Sequence, residues 1–163
     1  MTFDVETRIS TESSNELKLW LRLHTCNNLI LNYVREKMRQ QFQTTLPRFD
    51  LMAQLAGHKN GLKMGELSER LMVSNGNITT ITLQLEKEEL IERLVNYEDR
   101  RSTFVRLTSK GNRLYKKLAA AYEQWLKEAF IQLSETQHKK IYKSLSDLKE
   151  LTAPCTRENT TIK

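Results

Sequence analysis

The sequence predicts a mainly α-helical chain with a single β-hairpin, on three observations. First, most of the chain repeats apolar residues at helical spacing, as in Leu114, Leu118, Ala121, Tyr122 and Trp125. Second, residues 90–107 switch to strand-like alternation around a turn that carries Asp99, Arg100 and Arg101. Third, two helical segments stand directly before that hairpin, a short one around Leu67 and a longer one opening at Ser74. Helix, turn, helix and then a hairpin with a cationic tip is the order of a winged helix-turn-helix, here with a two-stranded β-wing and further helices on both flanks. A charged hairpin on any domain would explain the tip alone, but accounts poorly for both motifs in this order.

Taken in order, the first dozen residues are polar and expected to fray. Residues 14–43 then read as a long helix. Leu17, Trp20, Leu21, His24, Leu31, Val34 and Met38 form one stripe, widened by Leu19, Leu23, Cys26, Ile30 and Tyr33. So broad an apolar face needs a covering from the rest of the fold or from a second subunit. Pro47 opens the next helix, through Leu51, Met52 and Leu55, and Gly57 ends it. Residues 62–71 read as a short helix with Leu67 and Leu71 on one face, and Ser74 caps the helix in which Ile78, Ile81 and Leu85 recur. Residues 90–95 and 102–107 are the wing strands, with Thr103, Val105 and Leu107 alternating against Ser102, Phe104 and Arg106. Thr108 or Ser109 caps a helix to about residue 133. Ser134 with Gln137 makes a capping box for a last helix through Ile141, Leu145, Leu148 and Leu151. Pro154 is expected to stop that helix and leave 153–163 as a disordered tail. No repeat or linker interrupts the chain. Residues 1–163 are therefore expected to form one domain, with dimerisation helices at about 14–43 and 109–152 flanking a winged helix-turn-helix at about 47–108.

Composition narrows the function. The 163 residues are 39% hydrophobic and hold no run of about 18 apolar residues to span a membrane. Asp4, Glu6 and Glu12 stand where a secretory signal would be positive, so the cytoplasm is the expected compartment. A net charge of +6 favours a polyanionic partner, and its distribution adds weight. Arg93, Arg100, Arg101, Arg106, Lys110, Arg113, Lys116 and Lys117 crowd one stretch. Cys26 and Cys155 lie far apart, which argues against a structural disulfide. His24, His58 and His138 show no metal-ligand spacing, the five glycines fit turns or helix ends, and no nucleophile stands with a base. Metal, cofactor and enzyme readings thus find no support.

The segment opening at Ser74 carries the most chemistry. Its polar face holds Asn75, Asn77, Thr79, Thr80, Gln84 and Lys87, short and mostly neutral side chains. A merely solvated helix would show more Glu and Lys and fewer β-branched threonines. A helix built for the major groove of double-stranded DNA needs small donors and acceptors for base edges, as here.

Flanking helices around a winged helix-turn-helix with this wing sequence resemble the MarR family of bacterial transcription regulators. The most specific piece is the wing: Asp99 and Arg101, then Val105-Arg106-Leu107-Thr108, then Gly111. Gly65-Glu66-Leu67-Ser68-Glu69-Arg70-Leu71 followed by Ser74 and Ile78-Thr79 also fits. The resemblance covers residues 17–151. It implies a symmetric homodimer formed by the first helix and the last two, binding a palindromic operator, most often as a repressor. It makes Arg101 a minor-groove reader whose guanidinium Asp99 holds, and Arg100 a phosphate contact. An exposed Asp99–Arg101 pair would also stabilise the hairpin, by about 0 to 1 kcal/mol. A narrower likeness rests on residues 45–50, Met64-Gly65-Glu66-Leu67 and residues 71–79. These resemble the branch that controls catabolism of aromatic and hydroxycinnamic acids, whose members respond to aromatic carboxylates or their coenzyme A thioesters.

In this family small anionic aromatics bind between the dimerisation helices and the DNA-binding lobe. On this chain the matching candidates are Trp20, His24, Asn28, Arg48 and Met52: polar groups within an apolar stripe, aromatic and adaptable walls, and a cation for the acid. Plain core or surface roles are the simpler explanation for Trp20 and Arg48 taken singly. Cys26 suggests an alternative, a redox-sensing repressor, although a cysteine among Leu19, Leu23, Ile30 and Tyr33 is more often a buried, inert small hydrophobe. A winged helix used only for protein interaction is the other alternative. It predicts a neutral wing and an apolar recognition face, neither of which the sequence has.

Overall fold

Ser14 starts the first helix by accepting the Leu17 amide on its hydroxyl, and α1 (Asn15–Phe42) runs until Gln43 turns left-handed at φ 51°. The structure, a computed structural model, describes residues 6, 9, 10, 12–95 and 103–157. Pro47 sits in the first turn of α2 (Leu46–Ala56), where its missing N–H costs nothing. A two-residue strand, β1 (Leu62–Lys63), leads directly into α3 (Met64–Leu71), and α4 (Asn75–Lys87) follows after a short turn. Then come β2 (Ile91–Val95), β3 (Thr103–Leu107), α5 (Ser109–Ala129) and α6 (Glu135–Arg157). Among the described residues no helix is long and apolar enough to cross a membrane.

The sheet is antiparallel in the order β1-β3-β2, with Leu62 opposite Val105 and Ile91 opposite Leu107. The expected two-stranded wing thus gains a third strand where the sequence reads as the start of a helix. Two residues are too few to display alternation. Gly61, at φ +82°, makes the strand possible, because a Cβ there would stand 2.7 Å from the Val105 carbonyl oxygen.

The chain divides into two compact units, Met1–Leu126 and Lys127–Lys163. The first holds two apolar clusters. One joins α2, α3, α4 and the sheet through Leu51, Met52, Leu55, Leu67, Ile78, Leu85, Ile91 and Val105. The other packs α1 and α2 on α5 through Val34, Met38, Phe49, Leu118 and Trp125. In it the Phe49 ring stacks on Tyr115 and Tyr122, with centroids 5.9 and 5.0 Å away. Each buried side chain of this size stabilises the fold by about 1.5 to 3 kcal/mol.

Helix α1 is covered unevenly, with Leu21 the one buried residue of its first half. Val34 and Met38 are fully buried, whereas Leu17, Leu19, Trp20 and Leu29 stand 43–61% exposed and Cys26 is exposed as well. The expectation of a buried Cys26 is therefore corrected for the single chain: among the described residues it stands exposed near Leu29 on α1.

The start of α5 is fixed to the base of the wing. Thr108 is its cap, its hydroxyl accepting the Gly111 amide at 3.0 Å and donating to the Glu89 carbonyl at 2.8 Å. Lys110 Nζ donates to the Glu88 carbonyl at 2.8 Å. A Cβ on Gly111 would lie 1.9 Å from the Leu90 carbonyl oxygen, so glycine is required for this approach.

In the second unit, the Ser134–Gln137 capping box forms as expected, with Ser134 N–H donating to Gln137 Oε1 at 2.8 Å and Gln137 N–H to Ser134 Oγ at 3.3 Å. Helix α6 does not stop at Pro154 but continues to Arg157. A proline removes one amide donor, a smaller loss in a last turn than in a helix interior. Residues 158–163 of the expected tail lie outside the described residues.

Candidate nucleic-acid interface

Helices α3 and α4 make the predicted helix-turn-helix, and each joint in it has a local cause. Met72 ends α3 in a left-handed conformation at φ 53°, and Ser68 Oγ donates to the Val73 carbonyl at 2.5 Å, folding the turn onto α3. Ser74 caps α4 by accepting the Asn77 amide at 3.4 Å. The inner face of α4 presents Ile78, Thr82 and Leu85, all fully buried. Thr82 is tolerated there because its hydroxyl donates to the Ile78 carbonyl at 2.8 Å.

The outer face carries the residues the sequence assigns to DNA. Asn75, Asn77, Thr79, Thr80, Gln84 and Lys87 are all exposed, and Ser74 serves as the cap at their head. Leu83 shares this face, 53% exposed, and the sequence reading missed it. Its signal was present, since a leucine between Ile78, Ile81 and Leu85 that falls off their stripe must point outward.

Two ion pairs hold the last turn of α4. Arg93 of β2 donates from Nε to Glu86 Oε2 at 2.8 Å, and Arg48 of α2 donates from Nη2 to Glu88 Oε2. Arg48 is mostly buried, with its side chain 15% exposed, while Glu88 is 49% exposed. Arg48 Nε and Arg93 Nη2 are buried without hydrogen-bond partners. A cation at a helix C-terminus also meets the negative end of the backbone dipole.

The wing strands bring Leu62, Val105 and Arg93 to one level of the sheet, and Lys63, Phe104 and Leu94 to the next. Lys63 Nζ sits 5.6 Å from the Phe104 ring centroid, and Arg106 Nε donates to Glu92 Oε1 at 2.7 Å. The wing tip, with Asp99, Arg100 and Arg101, lies outside the described residues.

Of the five effector candidates, three come together on α1. Trp20 stacks on His24 at 5.8 Å between centroids, and the Asn28 amide bonds the His24 ring at 2.9 Å. Arg48 is instead engaged by Glu88, and Met52 is buried at 1% exposure within the winged-helix core. A cavity of about 230 Å³ opens elsewhere, between the end of α2, the wing base and the start of α5, lined by His58, Lys59, Glu92, Arg106, Ser109 and Asn112 among others. None of the five candidates lines it. On α2, partial burial raises the Asp50 carboxyl above its usual range, and burial together with the Asp50 charge raises the Tyr122 phenol on α5.

Known proteins share this arrangement. The model of the MarR family matches residues 44–103, from the end of α1 to the start of β3. The chain is 28% identical over 137 residues to the HTH-type transcriptional regulator YfiV of Bacillus subtilis, covering 83% of this chain and 84% of that protein. A putative MarR-like transcription regulator from Bacillus cereus superposes with a TM-score of 0.75 at 22% identity, over 83% of this chain and 96% of that one. Streptococcus pneumoniae FabT, solved in complex with DNA, superposes with a TM-score of 0.71 at 20% identity, over 86% of this chain and 99% of FabT. The family model thus lies on the helix-turn-helix and wing just described, so residues 44–103 match the MarR family of winged helix-turn-helix transcriptional regulators, and the chain shares the fold of its solved members through the flanking helices.

Proposed function

We propose that the protein is a cytoplasmic, dimeric repressor that binds a palindromic DNA operator and releases it when a small aromatic carboxylate, or its coenzyme A thioester, binds. The outer face of α4 carries this reading: Asn75, Asn77, Thr79, Thr80, Leu83, Gln84 and Lys87 are exposed and backed by a buried inner face. In the proposal Asn75, Asn77, Thr79, Thr80, Gln84 and Lys87 enter the major groove. Arg101, held by Asp99, reads the minor groove, and Arg100 meets phosphate. The exposed apolar side chains of α1, Leu17, Leu19, Trp20 and Leu29, support a second copy of the chain as its partner. Residues 1–163 then act as one regulatory domain in the dimer.

The effector is assigned to Trp20, His24 and Asn28, where a stacked ring pair and an amide offer an aromatic acid both a face and a donor. Arg48 and Met52 complete the proposed set, and an acid reaching Arg48 must displace Glu88. A ligand releases DNA only if it prefers a dimer whose recognition helices are wrongly spaced for the grooves. Couplings of about 1 to 3 kcal/mol correspond to roughly 5- to 150-fold release. The test is a gel shift on the DNA flanking the gene, with and without a panel of aromatic acids and their thioesters. A shift that the panel reverses is expected. A footprint over direct repeats rather than inverted half-sites would overturn the dimeric palindrome reading.

The exposure of Cys26 favours one second reading, release through oxidation of that thiol. Peroxide that frees DNA from the wild type but not from Cys26→Ser, while the acids bind nowhere, would replace the aromatic effector by this mechanism.

A further inference from the structure

The outward face of α4 offers methyl groups and acceptors at its centre and places its donors at the margins. Gly76, Thr80, Leu83 and Lys87 form one row down that face, at steps of four, three and four residues. Thr80 donates its hydroxyl proton to the Gly76 carbonyl at 3.1 Å, and Thr79 donates its own to the Asn75 carbonyl at 2.9 Å. A carbonyl only accepts, so both protons are engaged within the helix. Each threonine is left with a methyl group and oxygen lone pairs for a partner. Leu83 adds an exposed, wholly apolar surface beside them. Nothing lies within 4 Å of the position a Cβ would take on Gly76, so the row begins as open backbone.

The four bases ask for different things in the major groove. Guanine presents two acceptors, N7 and O6, that are best met by arginine or lysine. Helix α4 contains no arginine, and its one lysine, Lys87, is its last residue. Thymine presents a C5-methyl group and adenine an N6 donor, which match an apolar surface and a hydroxyl lone pair respectively. The side-chain amides of Asn75, Asn77 and Gln84, on the margins of the face, suit adenine N6 and N7. Resting on the reading of α4 as the recognition helix, we infer that A·T pairs occupy the centre of each operator half-site, with thymine C5-methyl groups seated on Thr80 and Leu83.

The experiment is selection of duplexes from a random library by the full-length chain, followed by replacement of single thymines in the selected site with deoxyuridine, which lacks only the methyl. Enrichment of A·T pairs under α4 is expected, with about fourfold weaker binding for each seated methyl removed, the equivalent of about 0.8 kcal/mol per buried carbon. Leu83→Ala and Thr80→Ser, which lose apolar surface, should bind one thymine site and its uracil counterpart alike. Thr80→Val, which keeps the methyl, should still tell them apart. Thermal melting confirms that these surface variants fold. Guanine or cytosine at the selected central positions overturns the inference. So does uracil that binds like thymine throughout, or discrimination that survives both Leu83→Ala and Thr80→Ser. Failure to enrich any sequence overturns the DNA-binding reading as well, and so is distinguishable from a G·C-rich site.

Discussion

Removing Glu88 should cost far more than removing the arginine it holds. Arg48 is 85% withdrawn from water by the complement of its 15% exposure, and its Nε already has no partner. Glu88→Ala would strip the remaining charge partner from a buried guanidinium. Breaking a fully buried pair in this way costs about 3 to 5 kcal/mol, whereas an exposed pair is worth about 0 to 1 kcal/mol. With Glu88 itself 49% exposed, water can reach one side of the gap, and a value of about 2 kcal/mol follows. Arg48→Met instead returns a half-exposed carboxylate to water and fills the site with an apolar chain, for about 1 kcal/mol or less. The double variant should match Arg48→Met alone. Urea unfolding followed by circular dichroism, at one protomer concentration because of the expected dimer, measures all three. Equal costs for the two single variants would refute the assignment of a buried, charge-dependent clamp on the end of α4.

Three further outcomes follow from the packing and the proposed interface. Gly111→Ala should destabilise by about 2 kcal/mol or more despite the better helix propensity of alanine, because the new Cβ would meet the Leu90 carbonyl at 1.9 Å; urea unfolding at wild-type stability would contradict that contact. Asp50 has a raised pKa, so the folded chain binds more protons than the unfolded one from about the ordinary value of 3.8 up to the folded value, and stability falls as pH rises through that window. Asp50→Asn should therefore raise the melting temperature at pH 7 and leave it nearly unchanged near pH 3, where an equal gain at both would exclude ionisation as the cause. Thr80→Ala should weaken binding to the selected operator more than to random duplex, whereas Arg100→Ala should weaken both alike and flatten the salt dependence, as read by fluorescence anisotropy across a salt series.

Much of the fold was legible because several helices declare where they start. Ser74 and the Ser134–Gln137 pair cap where the sequence places them, and the first helix starts and ends close to its expected 14–43. What the sequence hid depends on distant partners. Strand β1 exists through its pairing with Val105 and Phe104 more than forty positions away, and two residues carry no periodicity of their own. Arg48 reads equally well as a ligand for an acid or a surface residue until Glu88, on another helix, is seen to hold it. The outer face of α4 was readable in its polar residues. Leu83 escaped because an exposed leucine is noticed only when the buried stripe beside it has been fixed.

The joint at Gly111 turns α5 into a lever. The helix of 21 residues is about 32 Å long at 1.5 Å per residue. Its first turn cannot slide along the wing base without driving backbone into backbone. Bending at that joint is equally resisted by Thr108 and Lys110, which tie the same turn to Glu88, Glu89 and Leu90. A sideways shift of about 3 Å at the far end of such a rod becomes a tilt of about 5° at its base. That tilt is delivered where α4 ends and the wing begins. A tilt of α5 would thus reach the end of α4 and the base of the wing through backbone contact alone, because Gly111 carries no Cβ.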